Sequence, residues 1–123
     1  MPLDRATLAN RIEKLLTDAG HPATGEGDFG WQMVAPNDGR DHVLIACEPS
    51  DWWRSMPGGV VRTEIAKHLR EYERTLAAAG LGTAMWEHHD QPRVLIVAET
   101  QADVDAQAPE IRRYLTEHNR GRP

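Results

Sequence analysis

Two apolar runs, Val43-Leu44-Ile45-Ala46-Cys47-Glu48 and Val94-Leu95-Ile96-Val97-Ala98-Glu99, are nearly identical and stand 51 residues apart. A second match precedes them: Ile12, Leu16, Ala19 and Gly20 recur 60 residues later as Tyr72, Leu76, Ala79 and Gly80. A chain patterned this way reads as two helix-hairpin units followed by a closing helix, either an internal duplication or the ready likeness of short apolar strands, and the difference between the two offsets falls in a glycine-rich loop and a longer first turn. The first run, within His42 to Glu48, is apolar on both faces, so it is expected to be a central strand covered by helix on at least one side.

The periodicities fill in the rest. Leu8, Ile12, Leu15, Leu16 and Ala19 form one stripe of a helix over about Asp4 to Ala19, with Asp4 as N-cap and Gly20 as the left-handed residue that stops it. Phe29, Trp31, Met33 and Ala35 alternate as a strand, Pro36 to Arg40 is a turn, and the strand His42 to Glu48 follows. Val61, Ile65, Leu69, Tyr72, Leu76 and Ala79 make a second helix over about Val60 to Ala79. Thr83 to His88 and Arg93 to Glu99 form a second hairpin about His89-Asp90-Gln91-Pro92. The last helix starts at Asp103 or Asp105, runs to Asn119 and buries Ala108, Ile111 and Leu115; Pro109 is tolerated there if Asp105 is the N-cap. The predicted fold is α+β, in the order α-β-β-α-β-β-α, with a mainly antiparallel four-stranded sheet and helices on one face. Residues 1–119 form one domain and 120–123 a frayed tail. This order is similar to that of small dimeric α+β chaperone-like folds, a likeness of element order that no residue motif carries.

Composition narrows the class. Leu, Ile, Val and Phe total 23 of the 123 residues, a low share that the 15 Ala, four Met and four Trp make up; with a net charge of −5 the chain reads as a folded domain with a thin, ring-anchored core. Twelve Arg against two Lys is the imbalance expected of a GC-rich genome. Cys47 is the single cysteine, no apolar run reaches the length of a membrane span, and Met1 to Arg5 lacks the pattern of a signal peptide, so a cytoplasmic location is expected.

Catalytic chemistry finds little support. His88-His89-Asp90 is the one histidine cluster and reads as a solvated turn, without the spacing of a zinc site. Glu48 and Glu99 end the two matched strands and would meet at one rim only if those strands were parallel neighbours. Cys47 lies in an apolar run and reads as inert core. The glycines before the helices lack the context of a phosphate loop. Arg112, Arg113, Arg120 and Arg122 against Glu117 give the C-terminal segment a local charge of +3, but the acidic remainder of the chain argues against nucleic acid as a partner. No catalytic, cofactor or metal residues are assigned, and the reading leans away from an enzyme.

The segment Pro49 to Gly59 is the candidate site. Trp52 and Trp53 are adjacent and cannot readily share one buried direction, so one of them is expected to be partly exposed or to cap the core edge; Arg54 could stack on a ring, and Met56 completes a set of residue types enriched in protein contacts, while the alternative is that both indoles lid the open end of a thin, Ala-rich core. The leading expectation is a non-enzymatic cytoplasmic protein-binding module, of adaptor, chaperone-like or immunity type, with another protein or a second copy of the chain as partner. One alternative is a small-molecule or enzymatic pocket between sheet and helices, lined by Trp31 and Trp86 with His88, Glu48 or Glu99 as polar groups. The other is a nucleic-acid accessory role for the arginine-rich last helix. No membrane partner and no cofactor are expected.

Overall fold

The structure, a computed structural model, describes residues 5–34 and 42–119. Over these residues the order is α1 (Arg5–Asp18), β1 (Phe29–Val34), β2 (Val43–Pro49), α2 (Asp51–Arg54), α3 (Gly58–Ala78), β3 (Gly82–His88), β4 (Gln91–Ala98) and α4 (Gln101–His118). The expected α+β order is present, with the one-turn helix α2 added in the segment read as loop. The expected N-cap Asp4, the turn Pro36 to Arg40 and the tail 120–123 lie outside the described residues.

All strand pairings are antiparallel, in the order β1-β2-β4-β3. The two hairpins therefore meet through their second strands, in the register Val43↔Val97, Leu44↔Ile96 and Ile45↔Leu95. Alternation sends Val43, Ile45, Cys47, Leu95 and Val97 to one face, where they pack with Leu8, Ile12 and Leu16 of α1 and Leu69, Tyr72 and Leu76 of α3. Leu44, Ile96 and Ala98 point to the other face, into a separate cluster with Val104, Ala108, Ile111 and Leu115 of α4. Helices thus cover both faces, which corrects the expectation of helices on one face. Strands apolar on both sides need cover on both sides, and α4 supplies the second layer.

The two-fold arrangement also corrects the strand match. Equating Leu44 with Leu95, as the sequence offset does, would equate residues on opposite faces. Keeping the faces pairs Val43 with Leu95, Leu44 with Ile96 and Ile45 with Val97, one residue out of step with the apparent repeat. The helix match holds in detail: Gly20 and Gly80 adopt φ of 86° and 90°, and the next amides, of His21 and Leu81, donate to Leu16 O and Leu76 O. Those are the left-handed caps that return each helix into its hairpin.

Helix α4 starts earlier than expected. Thr100 is its N-cap and accepts from the Asp103 amide at 3.1 Å, so Asp105 sits in the second turn and Pro109 in the helix interior. The missing proline N–H leaves the Asp105 carbonyl without its helical donor, on the solvent side. The same helix guards the β3 edge. Gln101 Oε1 accepts from the Thr83 amide and Gln101 Nε2 donates to the Thr83 carbonyl, both at 3.0 Å, mimicking a neighbouring strand. Arg112 donates to the Met85 carbonyl from Nε and Nη2. These contacts occupy backbone groups that would otherwise template strand addition. They also withdraw Arg112 from the basic surface that a nucleic-acid reading needs, while Arg120 and Arg122 lie outside the described residues.

Two substitutions test this account. Pro109→Ala should raise the free energy of unfolding by about 1–3 kcal/mol in urea denaturation, because it restores an interior helix bond. Gly82→Ala should lower it by about 1–3 kcal/mol, because its Cβ would collide with the Thr100 carbonyl backbone that crosses this position.

Candidate functional site

The candidate residues lie on α2, a single turn that caps the rim of the sheet where β2 ends. Its backbone is closed by Arg54 N–H donating to Ser50 O, and Ser55 Oγ donates to Trp52 O at 2.6 Å. Successive residues on one turn point about 100° apart, so α2 can serve both faces of the sheet at once.

Trp53 turns toward the α1/α3 face, 4.9 Å from Phe29 between ring centroids, and joins the edge of that core. Trp52 is 63% exposed and stands edge-on to Trp53 at 5.2 Å. The adjacent indoles therefore divide, one as plug and one in solvent. Arg54 stacks on neither ring. Its Nη2 donates to Glu48 Oε2 at 2.9 Å on the opposite face, with Asp51 Oδ1 3.9 Å from its Nε. Met56 is partly buried behind the turn, its amide donating to Trp53 O.

Phe29 and His68 back the plug, and of these His68 had no role in the sequence reading. Phe29 stacks on His68 at 4.8 Å, His68 lies 6.4 Å from Tyr72, and Tyr72 meets His21 edge-on at 5.2 Å. A line of aromatic contacts thus runs from the exposed Trp52 through Trp53 and Phe29 into the core. The stripe Ile65, Leu69, Tyr72 signals the buried face of α3, and His68 lies one position before Leu69 on that helix; its spacing to Tyr72 was the available clue.

Beside α2 a cleft of about 380 Å³ opens on the other face of β1 and β2, lined among others by Thr24, Gln32, Glu48, Ser50 and Arg54. Helix α4 packs on β3, β4 and Leu44 of β2 in a cluster that includes no β1 residue, and Gln32 and Val34 of β1 are exposed on this face. The Ser50 hydroxyl at the cleft and the Trp53 indole N–H behind it are buried without a partner among the described residues.

The other sequence candidates are not brought together. Strands β2 and β4 are neighbours but antiparallel, so Glu48 and Glu99 stand at opposite ends of the sheet and form no acid–base pair. Trp31 and Trp86 are buried on opposite faces, each in its own cluster, and cannot line one pocket. Their indole N–H groups donate to His21 O and Thr116 Oγ1. His89 and Asp90 are the two central residues of a tight turn, with φ of 52° and 61°. Among the described residues no group of three or more His, Cys, Asp or Glu is placed to hold a metal ion, and no helix is long and apolar enough to cross a membrane.

Cys47 is buried, and Tyr72 Oη donates to its Sγ at 3.8 Å. Burial is the main cause that pushes the thiol from 9.0 up to about 11, with the Glu48 charge adding to it, and burial also pushes the Tyr72 phenol upward. The unfolded thiol ionises near pH 9 while the folded one keeps its proton, so its contribution to stability is complete below pH 9. It should be lost as pH rises from 9 to about 11, a decline that urea titrations at stepped pH will detect. The same thiol should resist a disulfide reagent at pH 8 until denaturant is added. No protein family, curated protein or solved structure matches the chain, so its function is argued from this geometry.

Proposed function

We propose that the chain is a non-enzymatic protein-binding module whose contact surface is built on α2 with Trp52 at its centre. The observation that carries this reading is the 63% exposure of Trp52 on a turn that its neighbours hold rigid. Trp53 is packed on Phe29 beneath it, and the Arg54–Glu48 ion pair ties the same turn to β2. A large ring presented at low entropic cost, beside a polar cleft, has the composition of a binding hot spot and its rim. A partner would cover the indole and engage the Glu48, Asp51 and Arg54 charges beside it. The partner is a protein, either a second copy of this chain or a different one, and the activity belongs in the cytoplasm, where a lone thiol such as Cys47 stays reduced.

The two tryptophans separate binding from folding. Trp52→Ala should change stability by less than about 1 kcal/mol, the loss of one edge-on ring contact. It should nevertheless abolish capture of a partner by the purified chain, or dissociate a dimer measured by light scattering. Trp53→Ala should lower stability by about 2–4 kcal/mol, as loss of a large core-edge ring does. If Trp52→Ala leaves both partner capture and molecular mass unchanged, α2 is not the contact surface.

A further inference from the structure

A second cleft, of about 350 Å³, opens between the first turn of α3 and the β3–β4 turn, lined by Gly59, Arg62, His89, Gln91 and Arg93. Its lining is one-signed, with two guanidinium groups and no carboxylate. Arg93 Nε and Nη2 are buried and have no hydrogen-bond partner among the described residues. Burial first, and then the charge of Arg62, push the pKa of Arg93 downward, and no acidic residue lines this cleft among the described residues. Desolvating a guanidinium without a partner costs stability, and placing it by another guanidinium adds to that cost.

The surrounding backbone has the same sign. Helix α3 is 21 residues long, its N-cap Pro57 makes no side-chain cap and its first turn holds no acidic residue. The amides of Val60 and Val61 donate to Pro57 O, while those of Gly58 and Gly59 have no backbone acceptor among the described residues. The Arg62 guanidinium folds back to within 2.9 Å of where a Gly58 Cβ would stand, and a Cβ on Gly59 would meet nothing within 4 Å. Two planar forks and a free helix end thus converge on one concavity, and each is a recognised means of holding oxyanions.

The geometry points to a binding site for a phosphoryl dianion, carried by a small phosphomonoester or free as inorganic phosphate, with Arg93 and Arg62 as its charged ligands. Two guanidiniums match a dianion better than a monovalent carboxylate, and the volume is at the low end of the range for small-ligand pockets. This site is independent of Trp52 and of the α2 surface.

The test uses the full chain, with thermal unfolding and calorimetric titration against inorganic phosphate, phenyl phosphate and acetate at matched ionic strength. Phosphate and phenyl phosphate should raise Tm saturably, and acetate should not. Tighter binding of phenyl phosphate than of phosphate assigns the site to a monoester, and the reverse assigns it to the free ion. Arg93→Met and Arg62→Gln should each weaken binding by roughly tenfold or more, the worth of one charge-assisted hydrogen bond. Without anion, Arg93→Met should keep or raise Tm, because it removes an uncompensated charge, so lost binding will not reflect lost folding. The inference is overturned if phosphate has no effect on Tm or heat, if acetate acts equally well, or if the two variants respond as the parent chain does.

Discussion

The seam between β2 and β4 is the contact on which the rest of the structure depends. Three successive residue pairs, Val43↔Val97, Leu44↔Ile96 and Ile45↔Leu95, join two hairpins that would otherwise be separate, and every side chain in them is buried. Isolated hairpins are marginal in water, whereas four paired strands with both faces covered can form a stable core. Because neighbouring residues at the seam point oppositely, the seam needs two layers. The caps at Gly20 and Gly80 bring α1 and α3 to one face, with Arg11 Nη2 donating to Ala79 O where the helices meet. Helix α4 closes the other face, tied to the start of β2 by His42 Nδ1 donating to Gln107 Oε1 at 3.2 Å.

This arrangement accounts for the position of the candidate surface. Helix α4 covers β3 and β4 and its side chains occupy the β3 edge, but its reach ends before β1. On the β1 side the edge is met instead by the loop after α1: Trp31 N–H donates to Pro22 O, and Trp31 O accepts from the Thr24 amide and hydroxyl. The α2 turn sits at the end of β2 in the angle that remains, and can send Trp53 to one face and Arg54 to the other. Trp52, which precedes both in sequence, stays in solvent.

Polar groups inside the protein are mostly paired. The Trp31 and Trp86 indoles, the His21 ring with Thr75 Oγ1 and the Cys47–Tyr72 pair all find partners. Among the described residues the Ser50 hydroxyl, the Trp53 indole N–H and Arg93 Nε and Nη2 are buried without partners, and Ser50 and Arg93 each line one of the two clefts.

The sequence by itself determined the elements: the apolar runs became β2 and β4, the stripe ending at each glycine became α1 and α3, and the turn read over His89 to Pro92 closed on His89-Asp90, with Gln91 and Pro92 already in β4. These follow from local periodicity and backbone sterics, which a linear reading contains. Adjacency argued that the two indoles would not readily share one buried direction but left a lid of both rings open, and the tertiary structure sent Trp53 onto Phe29 and left Trp52 exposed. What the linear reading misread was local but overshadowed: Thr100-Gln101-Ala102-Asp103 is a capping pattern, passed over because Pro109 suggested a later start. Only the tertiary structure decided the rest, namely the antiparallel seam that separates Glu48 from Glu99 and the face-true match between hairpins. It likewise decided the second helical layer, the Arg54–Glu48 pair and the meeting of Arg62 with Arg93. Each of these depends on which residues distant in sequence come to share a face or a rim, and that is set by strand order and register rather than by any local pattern.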